Sequence, residues 1–211
     1  MSTLLRDAQV SEYIHANLYM TRLFNHLASV IGGLNVRQSI NRPKSTDYDV
    51  AIEMPDGLYK FKEKAQIKFI NNPVPSFTLE LYDTSRKKDG WFLTDAEDLV
   101  YVFIWILSAN GTYDTVSYSD FNRLRLCFCK NADLKKEIKY NVDELRALSI
   151  RAKEENLSKL ELEHDLMLCR SLKYSEIPIN IKVPFNTIFK VSTLNIDLDC
   201  KTGSIVSVTK W

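Results

Sequence analysis

The sequence predicts an α/β (α+β) fold in which a central mixed sheet of about four to five strands is flanked by helices. Three observations predict it: an amphipathic stretch at 11–31, strand-like alternation at 49–70, and a nearly continuous apolar run at 99–107. With 211 residues, 45% of them hydrophobic, the chain can bury one substantial core. We therefore expect a single domain over 1–211.

A helix and a meander of three strands open the predicted fold. Apolar residues recur every three or four positions over 11–31, and two glycines follow as a helix stop signal. Alternation over 49–54 resumes at 58–70 after a Pro-Asp-Gly turn, which is typical of a hairpin. A third strand is predicted at 77–82.

The second half of the chain alternates between strand and helix signals. The run 99–107 suits a strand buried on both faces, and 118–128 is interpreted as a short helix. Residues 131–172 carry lysine and glutamate at helical spacings, which predicts an added charged helical segment. An edge-type strand bounded by prolines is predicted at 177–183, followed by short strands within 191–208.

Charge and targeting signals exclude several classes of protein. A net charge of +1 provides no global basic field, so any contact with nucleic acid must come from local patches. The N-terminal residues lack the pattern of a signal peptide, and no segment is long and apolar enough to span a membrane. We expect a cytoplasmic protein without membrane partners.

Cysteine and histidine spacing gives no metal site. The cysteines contain no CxxC pair, so we expect buried, reduced thiols. The histidines are too scattered to form a metal triad. These residues are Cys127, Cys129, Cys169 and Cys200, and His15, His26 and His164.

Polar side chains recur on the three strands of the predicted meander. Asp49 begins the first strand, Gln66 and Lys68 share one face of the second because they are two residues apart, and Glu80 lies on the third. Carboxylate oxygens are the ligands that Mg²⁺ or Mn²⁺ prefers, and a bound metal lowers the pKa of water for attack on phosphorus. The pattern predicts a metal-dependent phosphodiesterase site.

This order of helix, three-stranded meander, buried strand and helix resembles the PD-(D/E)XK (restriction-endonuclease-like) nuclease superfamily over 11–128. The resemblance implies a restriction-endonuclease-like core and a magnesium-dependent endonuclease acting on DNA. It also implies a homodimer, because many nucleases of this fold dimerise to cut both strands. The segment 131–175 then forms an added lobe, and 176–211 supplies C-terminal strands.

The resemblance assigns roles to individual residues. Asp49 matches the metal-binding aspartate and Lys68 the lysine that positions water, while Gln66 stands where an acid is usual. Gln66 offers a neutral carbonyl oxygen, so Glu80 is the candidate compensating metal ligand. Glu12 on the first helix matches a helical glutamate that several members add to the metal site.

Alternatives to these assignments are open at this point. Asp47 shares a face with Asp49 and is a second candidate ligand, although a strand-entry aspartate more often caps a turn. Glu80 either belongs to the site or pairs across strands with Lys68. The polar residues on these strands are also compatible with the solvent face of a sheet. Glutamine at position 66 is compatible with an inactive nuclease-like module that binds nucleic acid or protein.

Two predicted loops flank the site and carry basic residues. These loops, at 35–45 and 83–90, are candidates for contact with a phosphate backbone. The candidate nucleic-acid-binding residues are Arg37, Arg42, Lys44, Arg86, Lys87 and Lys88.

Overall fold

The structure, a computed structural model, describes residues 3–20, 22–38, 48–170 and 178–210. The predicted phosphate-contacting residues Arg42 and Lys44 and the alternative ligand Asp47 lie outside the described residues. The chain divides into two compact units. Unit 1 comprises Met1–Val74, Asp98–Lys130 and Ser192–Trp211, and unit 2 comprises Pro75–Glu97 and Asn131–Val191.

The secondary structure alternates between helices and strands along the described chain. The α-helices are α1 (Thr3–Met20), α2 (Leu23–Ile31), α3 (Trp91–Thr94), α4 (Asn131–Ile138), α5 (Val142–Glu154) and α6 (Phe185–Val191). The strands are β1 (Asn35–Gln38), β2 (Val50–Met54), β3 (Gly57–Ala65), β4 (Ser76–Asp83), β5 (Lys88–Asp89), β6 (Val100–Ala109), β7 (Phe121–Lys130), β8 (Lys159–Glu161), β9 (Met167–Arg170), β10 (Pro178–Pro184), β11 (Leu194–Asp199) and β12 (Ile205–Lys210).

Unit 1 is built on a seven-stranded mixed sheet in the order β1-β2-β3-β6-β7-β11-β12. Strands β3 and β6 pair in parallel, and the other neighbours pair antiparallel. The coarse α/β class with a central mixed sheet and helices is confirmed, although the sheet has seven strands rather than the predicted four to five. As predicted, β6 is a central strand buried on both faces.

Helices α1 and α2 contribute to the main hydrophobic core of unit 1. Val10, Ile14 and Leu18 recur every four residues on α1 and are almost completely buried, as helical periodicity requires of one face. Their partners include Ile52 of β2 and Phe61 of β3.

The predicted single helix over 11–31 is wrong in its bounds. Two helices, α1 and α2, replace it, and Arg22 between them adopts the left-handed conformation with φ 56°. A non-glycine residue rarely takes this conformation. Because the break contains no glycine or proline, the sequence gives no signal for it. Gly32, with φ 79°, ends α2 as predicted.

The predicted hairpin is confirmed, but its second strand is shorter than expected. Strand β2 pairs with β3 across the tight turn after Met54. Strand β3 ends at Ala65, and the chain then turns instead of continuing to Ile70. The expectation that Gln66 and Lys68 share one face of a strand is therefore wrong, because both follow the end of β3.

Strand β4, the predicted third strand of the meander, belongs to unit 2. It lies in a five-stranded antiparallel sheet of order β5-β4-β10-β9-β8, and the neighbour of β3 is β6. The three-stranded meander is therefore wrong. The predicted core span 11–128 contributes residues to both units.

Two further elements differ from the predictions. Residues 118–128 form a short 3-10 turn (Tyr118–Asp120) and then β7 rather than a helix, because core-facing residues alternate with Arg123, Arg125 and Cys127. Strand β10 lies between β4 and β9 and is not an edge strand. Its prolines stand at its two ends, so the interior N–H groups remain for pairing.

The charged segment after residue 130 is helical in its first half only. Helices α4 and α5 lie where the sequence predicts them, and α5 begins with a capping box formed by Asn141 and Glu144. Strands β8 and β9 follow and pair antiparallel.

Candidate functional site

The hairpin of β2 and β3 brings Asp49 against the backbone of Glu63. The Asp49 N–H donates to the carbonyl oxygen of Phe61 at 2.8 Å. This hydrogen bond lies immediately before β2, which begins at Val50. Its carboxylate Oδ2 accepts a hydrogen bond from the Glu63 N–H at 2.8 Å. A carboxylate that accepts a backbone N–H is held in one position, so the end of the hairpin fixes Asp49.

The Glu63 side chain is paired with a histidine of α1. The two side chains are 7% and 13% exposed, and His15 Nδ1 lies 2.7 Å from Glu63 Oε2. Burial of a carboxylate is costly unless a partner compensates it, and the imidazole supplies that partner. Sequence reasoning placed neither residue in the site.

Tyr19 completes this group one turn further along α1. Its ring centroid lies 4.9 Å from that of His15. Burial, together with the negative charge of Glu63, raises the pKa of Tyr19 to about 12. Its buried hydroxyl has no hydrogen-bond partner within the described ranges. Asp49, Glu63, His15 and Tyr19 are called the hairpin cluster below.

Gln66 closes the loop that follows β3. Its amide Nε2 donates to the carbonyl oxygen of Val74 at 2.9 Å, and its Oε1 accepts from the Val74 N–H at 3.0 Å. Trp105 Nε1 donates to the same carbonyl oxygen at 3.1 Å. Because the side chain is only 6% exposed and both ends of its amide are engaged, Gln66 has a structural role in this conformation.

Lys68 contacts a different part of α1 from the hairpin cluster. Its Nζ lies 3.2 Å from Asp7 Oδ2, and the other oxygen of Asp7 accepts a hydrogen bond from the Tyr113 hydroxyl. His15 follows Asp7 by about two turns of α1, or roughly 12 Å along the helix axis. Lys68 and Glu63 therefore contact α1 at two separate points, Asp7 and His15.

The two predicted glutamates lie on different elements. Glu12 is exposed on α1. Glu80 lies on β4 in unit 2, opposite Asn180 of β10. Gly90 packs tightly against its backbone, since a Cβ at Gly90 would lie 2.4 Å from the Glu80 carbonyl oxygen. Glycine is therefore required at this close approach.

Two of the described basic candidates, Arg37 and Arg86, contact acidic side chains. Arg37 lies on β1 and bonds Glu53 of β2 at 2.8 Å, and this hydrogen bond lowers the pKa of the Glu53 carboxyl. Arg86 lies 3.5 Å from Asp83 in the turn between β4 and β5. Lys87 has φ 54° in the same turn, and Lys88 begins β5.

A divalent metal fits part of this donor set. Asp49, immediately before β2, and Glu63, on β3, provide carboxylate oxygens, and Mg²⁺ is commonly held by one or two carboxylates with water and substrate phosphates. Gln66 does not fit, because its carbonyl oxygen accepts the Val74 N–H. No group of three or more His, Cys, Asp or Glu side chains in the described part of the chain could hold a metal.

The sequence held one usable signal for Glu63. A tight turn after Met54 fixes the hairpin register, and pairing of Val50 with Phe61 then places Asp49 next to the backbone of Glu63. The pairing of His15 with Glu63 depends on how α1 packs on the sheet, and sequence periodicity does not determine that.

No protein-family model, no curated protein and no solved structure matches the chain. Among the described helices, none combines the length and apolar character needed to cross a membrane.

Proposed function

We propose that the protein is a metal-dependent phosphodiesterase, an endonuclease acting on DNA, with Mg²⁺ or Mn²⁺ held by Asp49 and Glu63. One observation carries the proposal. The hairpin holds the Asp49 carboxylate on the backbone N–H of Glu63, and the Glu63 carboxylate is itself almost fully buried in contact with an imidazole. Buried titratable groups of this kind concentrate at functional sites.

The side chains of the hairpin cluster have distinct roles in this proposal. When bound, the metal supplies positive charge that activates water and stabilises charge on phosphorus. Asp49 is fixed by the Glu63 N–H, and His15 positions the Glu63 carboxylate through its Nδ1 contact. Lys68 is one-third exposed and is the candidate cation for a substrate phosphate, in place of the water-positioning role expected from the sequence.

A second candidate function is a nuclease-like module that binds nucleic acid or protein without turnover. The structural engagement of Gln66 by Val74 and of Lys68 by Asp7 favours it. These contacts occupy two side chains that the sequence assigns to chemistry.

Cleavage assays separate the two functions. Plasmid, linear and branched DNA are incubated with the protein in Mg²⁺, Mn²⁺ or EDTA. The substitution Asp49→Asn retains an oxygen that can accept the Glu63 N–H, so we expect loss of cleavage with an unchanged melting temperature. Glu12→Gln, on an exposed position of α1, is the matched control and should cleave normally.

Three outcomes of the cleavage and DNA-binding assays separate the enzyme from the binding module. Metal-dependent cleavage that disappears in Asp49→Asn and in Glu63→Gln supports the enzyme. Cleavage that persists in both variants contradicts the assigned site. Absence of cleavage on every substrate, with DNA binding that is unaffected by Asp49→Asn, supports the binding module.

A further inference from the structure

Unit 2 contains a cavity of about 420 Å³ between α4 and the start of α5, distant in sequence from the hairpin cluster. This volume lies within the range of about 300–1,000 Å³ that is typical of small-molecule sites. Ala132, Val142 and Leu145 give the cavity apolar walls. Its charged and polar lining residues are Glu97, Lys135, Lys136, Lys139, Tyr140 and Asn141.

Lys135 is the least hydrated cation of this lining. Its Nζ lies 3.5 Å from the carbonyl oxygen of Leu93 and 3.4 Å from that of Asp95, and 5.8 Å from the centroid of the Phe92 ring. Burial lowers the pKa of Lys135, although the negative charges of Glu97 and Asp95 oppose the effect. An ammonium group in this setting gains from an anionic partner.

The charge of the lining is unbalanced. Three lysines line the cavity, and Glu97 is the one acidic residue among the lining residues described. Lys136 and Lys139 are exposed, whereas Lys135 is half-buried. Lysine acts as a point-charge ligand for phosphate.

We infer that this cavity, called the lysine pocket, binds a small phosphomonoester that has an apolar or aromatic body. The lysines bind the phosphate dianion, and the side chains of Ala132, Val142 and Leu145 pack against the body. The inference is independent of the hairpin cluster, because every lining residue belongs to unit 2.

Calorimetric titration of the full chain tests the lysine pocket with phenyl phosphate as the probe. Phenol and inorganic phosphate, titrated separately, represent the two halves of the ligand. We expect phenyl phosphate to bind about tenfold or more tightly than either half, because the cavity contacts both parts. Binding of phenyl phosphate that is no tighter than that of phenol would overturn the inference.

Substitutions then locate the phosphate contact. We expect Lys135→Met to weaken binding about tenfold or more, since a partly buried charged contact is lost. Lys139→Met, at an exposed position, should weaken it about threefold or more. Lys182→Met removes the same charge from an exposed site on β10 outside the cavity and should change binding by less than about twofold. Equal weakening by Lys182→Met and Lys139→Met would show a non-specific charge effect and refute the site.

Discussion

Replacement of Gln66 by glutamate separates a structural role of this residue from a metal-binding one. In the structure the amide donates to the Val74 carbonyl oxygen at 2.9 Å and accepts from the Val74 N–H at 3.0 Å. An ionised glutamate keeps the acceptor but directs a negative oxygen towards the Val74 carbonyl oxygen at a position that is 6% exposed. We therefore expect Gln66→Glu to destabilise the protein at neutral pH.

The magnitude of this loss is bounded by the cost of protonating the introduced carboxyl. If it protonates, its O–H replaces the lost donor, and holding it neutral costs about 1.4 kcal/mol for each pH unit above its ordinary pKa of about 4.3. This sets a ceiling of roughly 3.7 kcal/mol at pH 7 and roughly 1 kcal/mol at pH 5. The folded-state pKa is raised, so the loss of stability grows as pH rises.

Urea unfolding at pH 5 and pH 7, followed by tryptophan fluorescence, measures the effect. We expect Gln66→Glu to reduce the free energy of unfolding by about 2–3.5 kcal/mol at pH 7 and by about 1 kcal/mol or less at pH 5, relative to wild type. Asn72→Asp makes the same chemical change at an exposed position of the same loop, and it should alter stability by less than about 0.5 kcal/mol. Wild-type stability at pH 7, combined with stabilisation by Mg²⁺, would refute the structural role and restore Gln66 as a metal ligand.

Three further results follow from the described contacts. The pKa of Tyr19 is raised from 10.0 to about 12, so stability should fall as pH rises through this interval, and Tyr19→Phe should remove one late-titrating phenolate from the absorbance at 295 nm. Asp197 accepts hydrogen bonds from Arg123 and Arg125; burial raises its pKa, but these arginines outweigh burial and lower it overall. Stability should therefore fall as pH drops through that lowered pKa, and Asp197→Asn should cost about 1–2 kcal/mol in urea unfolding at pH 7. Burial raises the pKa of Cys127 to about 12, so a thiol reagent should modify it slowly in the native protein and rapidly in denaturant, as mass spectrometry can show.

Local signals predicted the elements that depend on local chemistry. The Pro-Asp-Gly turn predicted the hairpin, Gly32 the end of α2, and the apolar run at 99–107 the central strand β6. These signals come from turn chemistry and burial pattern, which neighbouring residues determine.

The wrong predictions of strand ends and strand partners involve contacts that the local sequence pattern does not show. A period-2 pattern over 58–70 gave no sign that the strand ends at Ala65, because the turn is closed by an amide hydrogen-bonded to Val74 rather than by glycine or proline. Strand β4 has clear strand chemistry, but its choice of β10 as a partner depends on a segment about a hundred residues away. The contact between His15 and Glu63 was not predicted for the same reason, because it depends on how α1 packs on the sheet.

Metal binding by Asp49 and Glu63 can be measured in the absence of DNA. Titration with Mn²⁺, followed by electron paramagnetic resonance, reports binding without requiring that the correct DNA substrate be known. We expect wild type and Glu12→Gln to bind Mn²⁺ equally, and Asp49→Asn and Glu63→Gln each to weaken binding about tenfold or more. Equal binding by all four proteins, or no binding by wild type, would contradict metal binding by Asp49 and Glu63.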